Sequence, residues 1–394
     1  MSILFFDPPD TRTNLLPLTY TRPISEIRVG IYKIAEKWCN YLETDYFGYQ
    51  TEDYLSKKFP RIKVDLRTTW INATILPDTD LVEAIKALGT HEALVKENTL
   101  IAFNGESENA IINRKSHTGP FSAIQHPWEI FQLNGQEIRK DFEYIKSIRK
   151  SEQLLDPYTS VYGNDLFLEK GATIKASILN TENGPIYIGK DAEVQEGSII
   201  RGPFCLGEGG SLRLGSKMRG DITVGPHCKV GGEVSNSVFF GHSNKAHDGY
   251  LGNSVIGEWC NLGAGTNNSN LKNTYDQVKM WNYHTLEFEK TELQFCGLIM
   301  GDHSKAGINT MFNTGTSAGV AANIFGGGFP RQIIPSFSWG GSRGFMTYDF
   351  NKAISTIQNV FGRRDIELSD EDIKIFEHIF KETSAVRSWE KTNK

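Results

Sequence analysis

The sequence predicts an α/β domain followed by a long solenoid and a helical end. Short apolar runs alternate with amphipathic segments over the first 150 residues, which is the pattern of α/β folds. From Ile188 the chain then repeats an aliphatic residue every six positions: Ile188, Val194, Ile200, Leu206, Leu212, Met218, Val224 and Val230. Neither a helix nor a simple strand has that period. A solenoid does, because each hexad forms one short side of a prism and sends its aliphatic residue into a shared core. Three hexads close one coil, so residues eighteen apart stack on the same face. The tail, finally, returns to helical spacing.

In chain order, Ile3-Leu4-Phe5-Phe6 reads as a buried strand, followed by a loop from Asp7 to Asn14. Helical spacing covers Ile31 to Leu42 and Asp80 to Leu88. Strands are expected at Thr69 to Ala73 and Thr99 to Phe103. A helix opens at His126-Pro127 and runs to about Ile148, and the first domain is taken as residues 1–155. The solenoid domain spans 156–340. After Val230 its period slips by two and resumes as Val238, Tyr250, Ile256 and Leu262. Gly241 to Gly249 reads as a polar excursion in the wall, and Asn267 to Phe295 as a non-repetitive interruption. The ladder returns as Met300, Ala306, Phe312, Ala318 and Ile324. Residues 341–394 form a helical cap, with helices over Tyr348 to Phe361 and from Ser369 to about Val386. Ser369 is an N-cap followed by Asp370, Glu371 and Asp372, placed favourably against the helix dipole.

Composition limits the function. The 394 residues are 39% hydrophobic, enough for more than one core, and no apolar run reaches the length of a membrane span. A net charge of −5 with no Lys/Arg-rich block argues against a nucleic-acid or anionic-membrane partner. Five scattered cysteines without a CxxC pair read as reduced, buried thiols of a cytoplasmic protein.

The hexad ladder resembles that of the hexapeptide-repeat acyltransferases, whose left-handed parallel β-helix assembles into trimers. One segment narrows the resemblance. Lys245-Ala246-His247-Asp248-Gly249-Tyr250-Leu251-Gly252, Ile256-Gly257 and Asn261-Leu262-Gly263-Ala264-Gly265-Thr266 are similar to the acetyltransferase half of the bifunctional UDP-N-acetylglucosamine pyrophosphorylase / glucosamine-1-phosphate N-acetyltransferase family. It covers residues 160 to 330 well and the first 150 weakly, as in a divergent bacterial branch with a shortened, nucleotidyltransferase-like first domain. It implies a cytoplasmic homotrimer that uses acetyl-CoA as co-substrate, takes an amino-sugar phosphate, and serves nucleotide-sugar and cell-envelope precursor synthesis.

The resemblance also assigns roles. His247 matches the general base, since a neutral imidazole accepts the proton of an attacking amine near neutral pH. Asn261 assists it, Arg213, Tyr250 and Asn270 contact the acceptor, and Gly263, Ala264 and Gly265 leave room for the pantetheine arm. Ser235 and Asn236 stand where the family keeps a phosphate-binding lysine pair, with Lys245 and Lys279 as the nearest substitutes. His242 and His303 read as structural.

In the first domain, Thr11-Arg12, Leu16-Pro17-Leu18-Thr19 and Arg22-Pro23 resemble the nucleotide-binding signature of sugar nucleotidyltransferases in outline. Where that signature has phosphate-cradling glycines, this chain has Asp7-Pro8-Pro9-Asp10, and proline has no N–H to offer. No carboxylate stands at Asn72-Ala73-Thr74, where the resemblance places a metal ligand. Mg²⁺ enters only if this domain is active, with Asp7 and Asp10 as the nearby carboxylates and the metal site otherwise unassigned. The favoured expectation is therefore acetyl-CoA-dependent N-acetylation. A nucleotidyltransferase, alone or in addition, and an inactive trimeric scaffold are the alternatives.

Overall fold

A computed structural model describes residues 1–393, and its contacts divide the chain into two compact units. The first comprises residues 1–15, 21–27 and 32–126; the second comprises 16–20, 28–31 and the chain from 127 onward.

The first unit is built on six strands: β1 (Ser2–Phe6), β2 (Phe47–Gln50), β3 (Thr68–Asn72), β4 (Glu92–Lys96), β5 (Thr99–Asn104) and β6 (Asn113–Ser116). Their order is β2-β1-β3-β5-β4-β6. The central β1 is parallel to β2 and β3, while β5 runs antiparallel to β3 and β4. Ile3, Leu4 and Phe5 are fully buried, as a strand covered on both faces requires. The expected loop after β1 contains a short helix, α1 (Pro9–Asn14), because proline at its first position surrenders only an N–H that no helix would use. Helix α2 (Ile34–Leu42) buries Trp38, whose indole N–H donates to the Ile75 carbonyl at 2.8 Å. Helix α3 (Thr79–Lys86) is capped by Asp78, which accepts from the Leu81 N–H.

In the second unit, helix α4 (Pro127–Ile148) buries three polar residues along one side: Asn134, Glu137 and Asp141. Asn134 accepts from the Gly30 N–H at 2.8 Å and from Thr223, and Asp141 accepts from the Ile31 N–H at 2.7 Å. These bonds explain why α4 packs with the coil-bearing unit, although the sequence places the domain boundary later, near residue 155.

The coil is a parallel β-helix with three faces. Register fixes their inward rungs. Face A carries Leu168, Ile188, Leu206, Val224, Phe239, Ile256, Met300, Ala318 and Ile334. Face B carries Ile174, Val194, Leu212, Val230, Lys245, Leu262, Ala306 and Ile324. Face C carries Leu179, Ile200, Met218, Val234 and Leu251. Nearly all of these rungs belong to one continuous core. Truncating one such leucine typically costs about 2–5 kcal/mol, whereas an exposed pair such as Lys190–Glu208 is worth at most about 1. The ladder, not surface charge, holds the coil.

Three expectations are corrected. Phe239 and Leu251, rather than Val238 and Tyr250, are the inward rungs after the slip. Gly241 to Gly249 is not an excursion but part of the wall; the slip lies just before it, where Val224 and Phe239 pair only fifteen positions apart. Asn244–Lys245 continues face B and pairs with Lys229–Val230. The interruption after Asn267 is shorter than expected, since Asn267–Asn268 pairs with Met311–Phe312. It carries an antiparallel hairpin of Lys279–Asn282 with Glu287–Lys290.

An antiparallel hairpin, Ser338–Gly341 with Gly344–Thr347, ends the coil. Helices α5 (Phe350–Gly362) and α6 (Asp370–Glu382) follow. Ser369 caps α6 as expected, in a reciprocal box with Asp372. Arg387 is buried; its guanidinium donates to the Phe380 carbonyl at 2.9 Å and to Glu390 at 2.6 Å.

Lys245 is the anomaly of the ladder, 1% exposed at an aliphatic rung. Burial pulls its ammonium down from 10.5 to about 8. Between those pH values the unfolded chain binds the proton and the folded chain does not, so the stability penalty is complete below about 8 and fades as pH rises towards 10.5. Lys245→Met should therefore gain stability relative to wild type most strongly below pH 8 and lose that advantage by pH 10.5. Urea unfolding of both proteins across this range measures the difference.

Candidate functional site

Alternation along face B turns the residue before each inward rung outward. Lys229, Asn244, Asn261 and Lys305 thus form a row of register partners across four successive coils. Beyond them the chain turns the next corner, where His247 is exposed beside Ala246, and Gly263 and Ala264 lie one coil later. A cavity of about 800 Å³ opens over this floor. His247, Asn261, Gly263 and Ala264 line it together with Lys229, Asn244 and Lys305, and Val360, Arg363 and Arg364 come in from the end of α5.

The preceding corner supplies the wall. Each coil there needs one residue in the left-handed region, and His227, His242, Trp259 and His303 take it with φ of 54–60°. Non-glycine residues adopt that conformation at a cost. Here the rings stack into a column that offsets it: His227 and His242 centroids are 5.0 Å apart, and His242 and Trp259 are 4.1 Å apart and nearly parallel. Phe361 of α5 packs on Trp259 at 4.5 Å and Phe376 of α6 meets His303 at 5.2 Å. The cap helices dock on this column, which is the structural use of His242 and His303.

The buried Lys245 lies directly beneath the corner. Its Nζ donates to the Gly231 carbonyl at 3.2 Å and to the His247 carbonyl at 2.9 Å. The charge that destabilises the core thus fixes the backbone of His247. Lys305 is likewise pulled down to about 8 by burial, and its Nζ donates to the Trp259 carbonyl.

The other expected residues lie elsewhere. Tyr250 and Asn270 meet each other on the face C side of the corner: Asn270 Nδ2 donates to Tyr250 Oη at 3.0 Å and to Asn253 Oδ1 at 2.8 Å. Burial raises the Tyr250 hydroxyl above its ordinary range, so it stays protonated. Arg213 is half-buried and lines neither place. Gly265 is a turn glycine at φ 68°, where a Cβ would strike Asn309 Oδ1 at 2.1 Å. Lys279 is exposed on the hairpin, away from the cavity. Lys229, Asn244 and Lys305 were legible in principle, each standing one position before a rung. Nothing in the sequence ties Arg363 and Arg364 to this face.

In the first unit a second cavity, of about 720 Å³, is lined by Thr11, Arg12, Asp7, Pro8 and Pro9, with Glu52, Asp53, Asn72 and Glu108 also on its wall. Arg12 is buried and bonded to protein, donating to the Arg22 carbonyl at 3.1 Å and Tyr54 Oη at 2.8 Å. Asp7 accepts from the Ile24 N–H at 3.0 Å and Thr51 Oγ1 at 2.6 Å and faces Arg12 at 3.6 Å. Asn72 ends β3 and folds back on Thr74. Asp10 is exposed and outside the cavity. Among the described residues no three His, Cys, Asp or Glu side chains converge on one point, so an Mg²⁺ here would be held by one or two of the lining carboxylates together with the phosphates of a bound nucleotide. The five cysteines are free and buried. No described helix is long and apolar enough to cross a membrane.

Comparison with known proteins finds transferase relatives. Residues 3–150 match a family described as sugar nucleotidyl transferase. A bifunctional sugar-1-phosphate nucleotidylyltransferase/acetyltransferase of Sulfurisphaera tokodaii is 33% identical over 193 residues, 48% of this chain and 47% of that one. The bifunctional protein GlmU of Methanococcus aeolicus is 29% identical over 231 residues, 57% of this chain and 55% of its own. That of Trichodesmium erythraeum is 34% identical over 112 residues, 28% of this chain and 20% of its own. The matches span about half or less of these relatives. Family model and relatives alike point to a transferase. Within that class, parts of the chain resemble GlmU and a sugar-1-phosphate nucleotidylyltransferase/acetyltransferase.

Asp7 offers a test in the first unit. Burial, only partly countered by Arg12, raises its carboxyl from 3.8 to about 6. Between those values the folded chain holds a proton that the unfolded chain has released, so stability falls as pH rises through the window. Asp7→Asn should flatten this slope, and its stability relative to wild type should rise between pH 4 and 6.5 in urea titrations.

Proposed function

We propose that the coil-bearing unit transfers an acetyl group from acetyl-CoA to the amine of an amino-sugar phosphate such as glucosamine-1-phosphate. One observation carries this reading. His247 is exposed on a corner pinned by Lys245 and shares a cavity with Asn261, Gly263 and Ala264, which are four of the positions assigned by the family resemblance. In this reading His247 takes the ammonium proton as the amine attacks the thioester carbonyl, the thiolate of CoA leaves, and backbone N–H groups steady the oxyanion. Asn261, one coil on, orients the acceptor. Tyr250 and Asn270, coupled by their hydrogen bond, hold the sugar from the other side of the corner. Gly263 and Ala264 keep the wall low where the pantetheine arm passes. By the family resemblance of the coil, this reading takes the protein to act as a homotrimer in the cytoplasm.

A second reading is favoured by the match over residues 3–150 and the cavity beside Thr11 and Arg12: transfer of a nucleotidyl group to a sugar-1-phosphate. The prolines of its loop and the engagement of Arg12 weigh against it.

Incubation with acetyl-CoA and a panel of amino-sugar phosphates should release free CoA thiol. His247→Ala should lower that rate by about a hundredfold or more, the usual contribution of a general base. A variant with full activity removes His247 from the mechanism. The second reading is checked by Mg²⁺-dependent pyrophosphate release with a panel of nucleoside triphosphates. We expect none above background.

A further inference from the structure

The cavity beside His247 has a charge composition unlike the rest of the chain. The protein carries a net charge of −5. Yet Lys229, Lys305, Arg363 and Arg364 all line this one space, and among the described residues no carboxylate does. Two of the cations come from the end of α5, a segment outside the hexad ladder. Phe361 fixes their position by packing against Trp259 and His303. Arg364 Nη2 is then within 3.3 Å of the His227 carbonyl, while Arg363 is exposed at the helix C-terminus. A guanidinium there is favoured by the helix dipole and remains available to a ligand. On the floor opposite, Asn244 Oδ1 is buried without a hydrogen-bond partner, a cost that a bound donor would remove.

The same space resolves a chemical deficit. A phosphorylated ligand needs cations, and Ser235 and Asn236 stand where the family resemblance calls for lysines. We propose that the C-terminal cap supplies the replacement: Arg363, Arg364 and Lys229 form a phosphate-binding subsite on the outer B face, with Asn244 receiving a hydroxyl or amide donor of the same ligand. The subsite rests on the reading of the His247 cavity as a transferase site, because that reading decides which phosphate occupies it. Guanidinium forks suit phosphate oxygens bidentately, and two of them with one ammonium more than offset a dianion. The phosphate belongs either to the acceptor sugar or to the acyl donor, and the two are separable by experiment.

Isothermal titration calorimetry of the full chain with four probes makes the test: glucosamine-1-phosphate against glucosamine, and CoA against pantetheine. The variants are Arg363→Ser with Arg364→Gln, and Arg363→Lys as the charge-keeping control. The double variant should weaken one phosphorylated probe by about tenfold or more and leave its unphosphorylated counterpart unchanged. Arg363→Lys should recover part of the loss. Whichever phosphorylated probe responds identifies the source. Equal binding of both phosphorylated probes to wild type and double variant overturns the subsite, as does an equal loss for a probe and its unphosphorylated partner. Absence of acetyl transfer in wild type together with arginine-dependent binding overturns the proposed activity and leaves the subsite standing. Acetyl transfer with KM for both substrates unchanged in the double variant does the reverse.

Discussion

Stacking of inward side chains in register is the constraint on which the rest of the coil depends. Once Val230 sits above Leu212 and below Lys245, strand alternation leaves no freedom in what faces outward. Lys229, Asn244, Asn261 and Lys305 align into one row only because the residues after them align into one ladder. A one-residue slip would turn the row inward and the rungs outward. Core packing and placement of the candidate site are therefore one geometric fact. The energy scale agrees, since several kcal/mol per rung protects a row whose own polar contacts are worth much less.

Lys245 shows where that economy is broken. Every other rung of face B is apolar, and a lysine there carries the desolvation penalty of a buried ammonium. The shortened turn just before it keeps the wall closed with fewer residues, which leaves the corner carbonyls of Gly231 and His247 within reach of Nζ. A methionine would fill the same volume and donate to neither carbonyl. Stability is thus given up at one rung for a fixed backbone at the next corner, the kind of local conflict expected where a chain positions a functional group.

Much of this was legible in the sequence because a period of six has a single structural meaning. The ladder, the N-cap at Ser369 and four residues around the cavity (His247, Asn261, Gly263 and Ala264) follow from spacing or motif. What was missed has physical reasons. Val238 and Phe239 are both apolar and both fully buried, so hydrophobicity alone does not say which points inward once the period slips. Helix α1 was hidden by its prolines, which break helices in the interior and start them at the first turn. The association of Arg363 and Arg364 with the B face depends on Phe361 finding Trp259, a contact between residues about a hundred positions apart that no local pattern encodes.

The division of the expected residues between two faces bears on how the corner works. His247 lies between the strand Asn244–Lys245 of face B and the strand that begins at Tyr250 on face C. One side of the corner is a cationic cavity with an unpaired amide oxygen; the other is a neutral hydrogen-bonded set of Tyr250, Asn253 and Asn270. A ligand with one charged end and one hydroxyl-rich ring has use for both. The charged end gains most where cations are held without competing carboxylates, and the ring where donors and acceptors are already oriented by one another. The ionisable side chains exposed at the junction are His247 and Asp248. Lys245 pins the His247 backbone from below while its ring stays exposed, so the corner combines a fixed main chain with an accessible side chain.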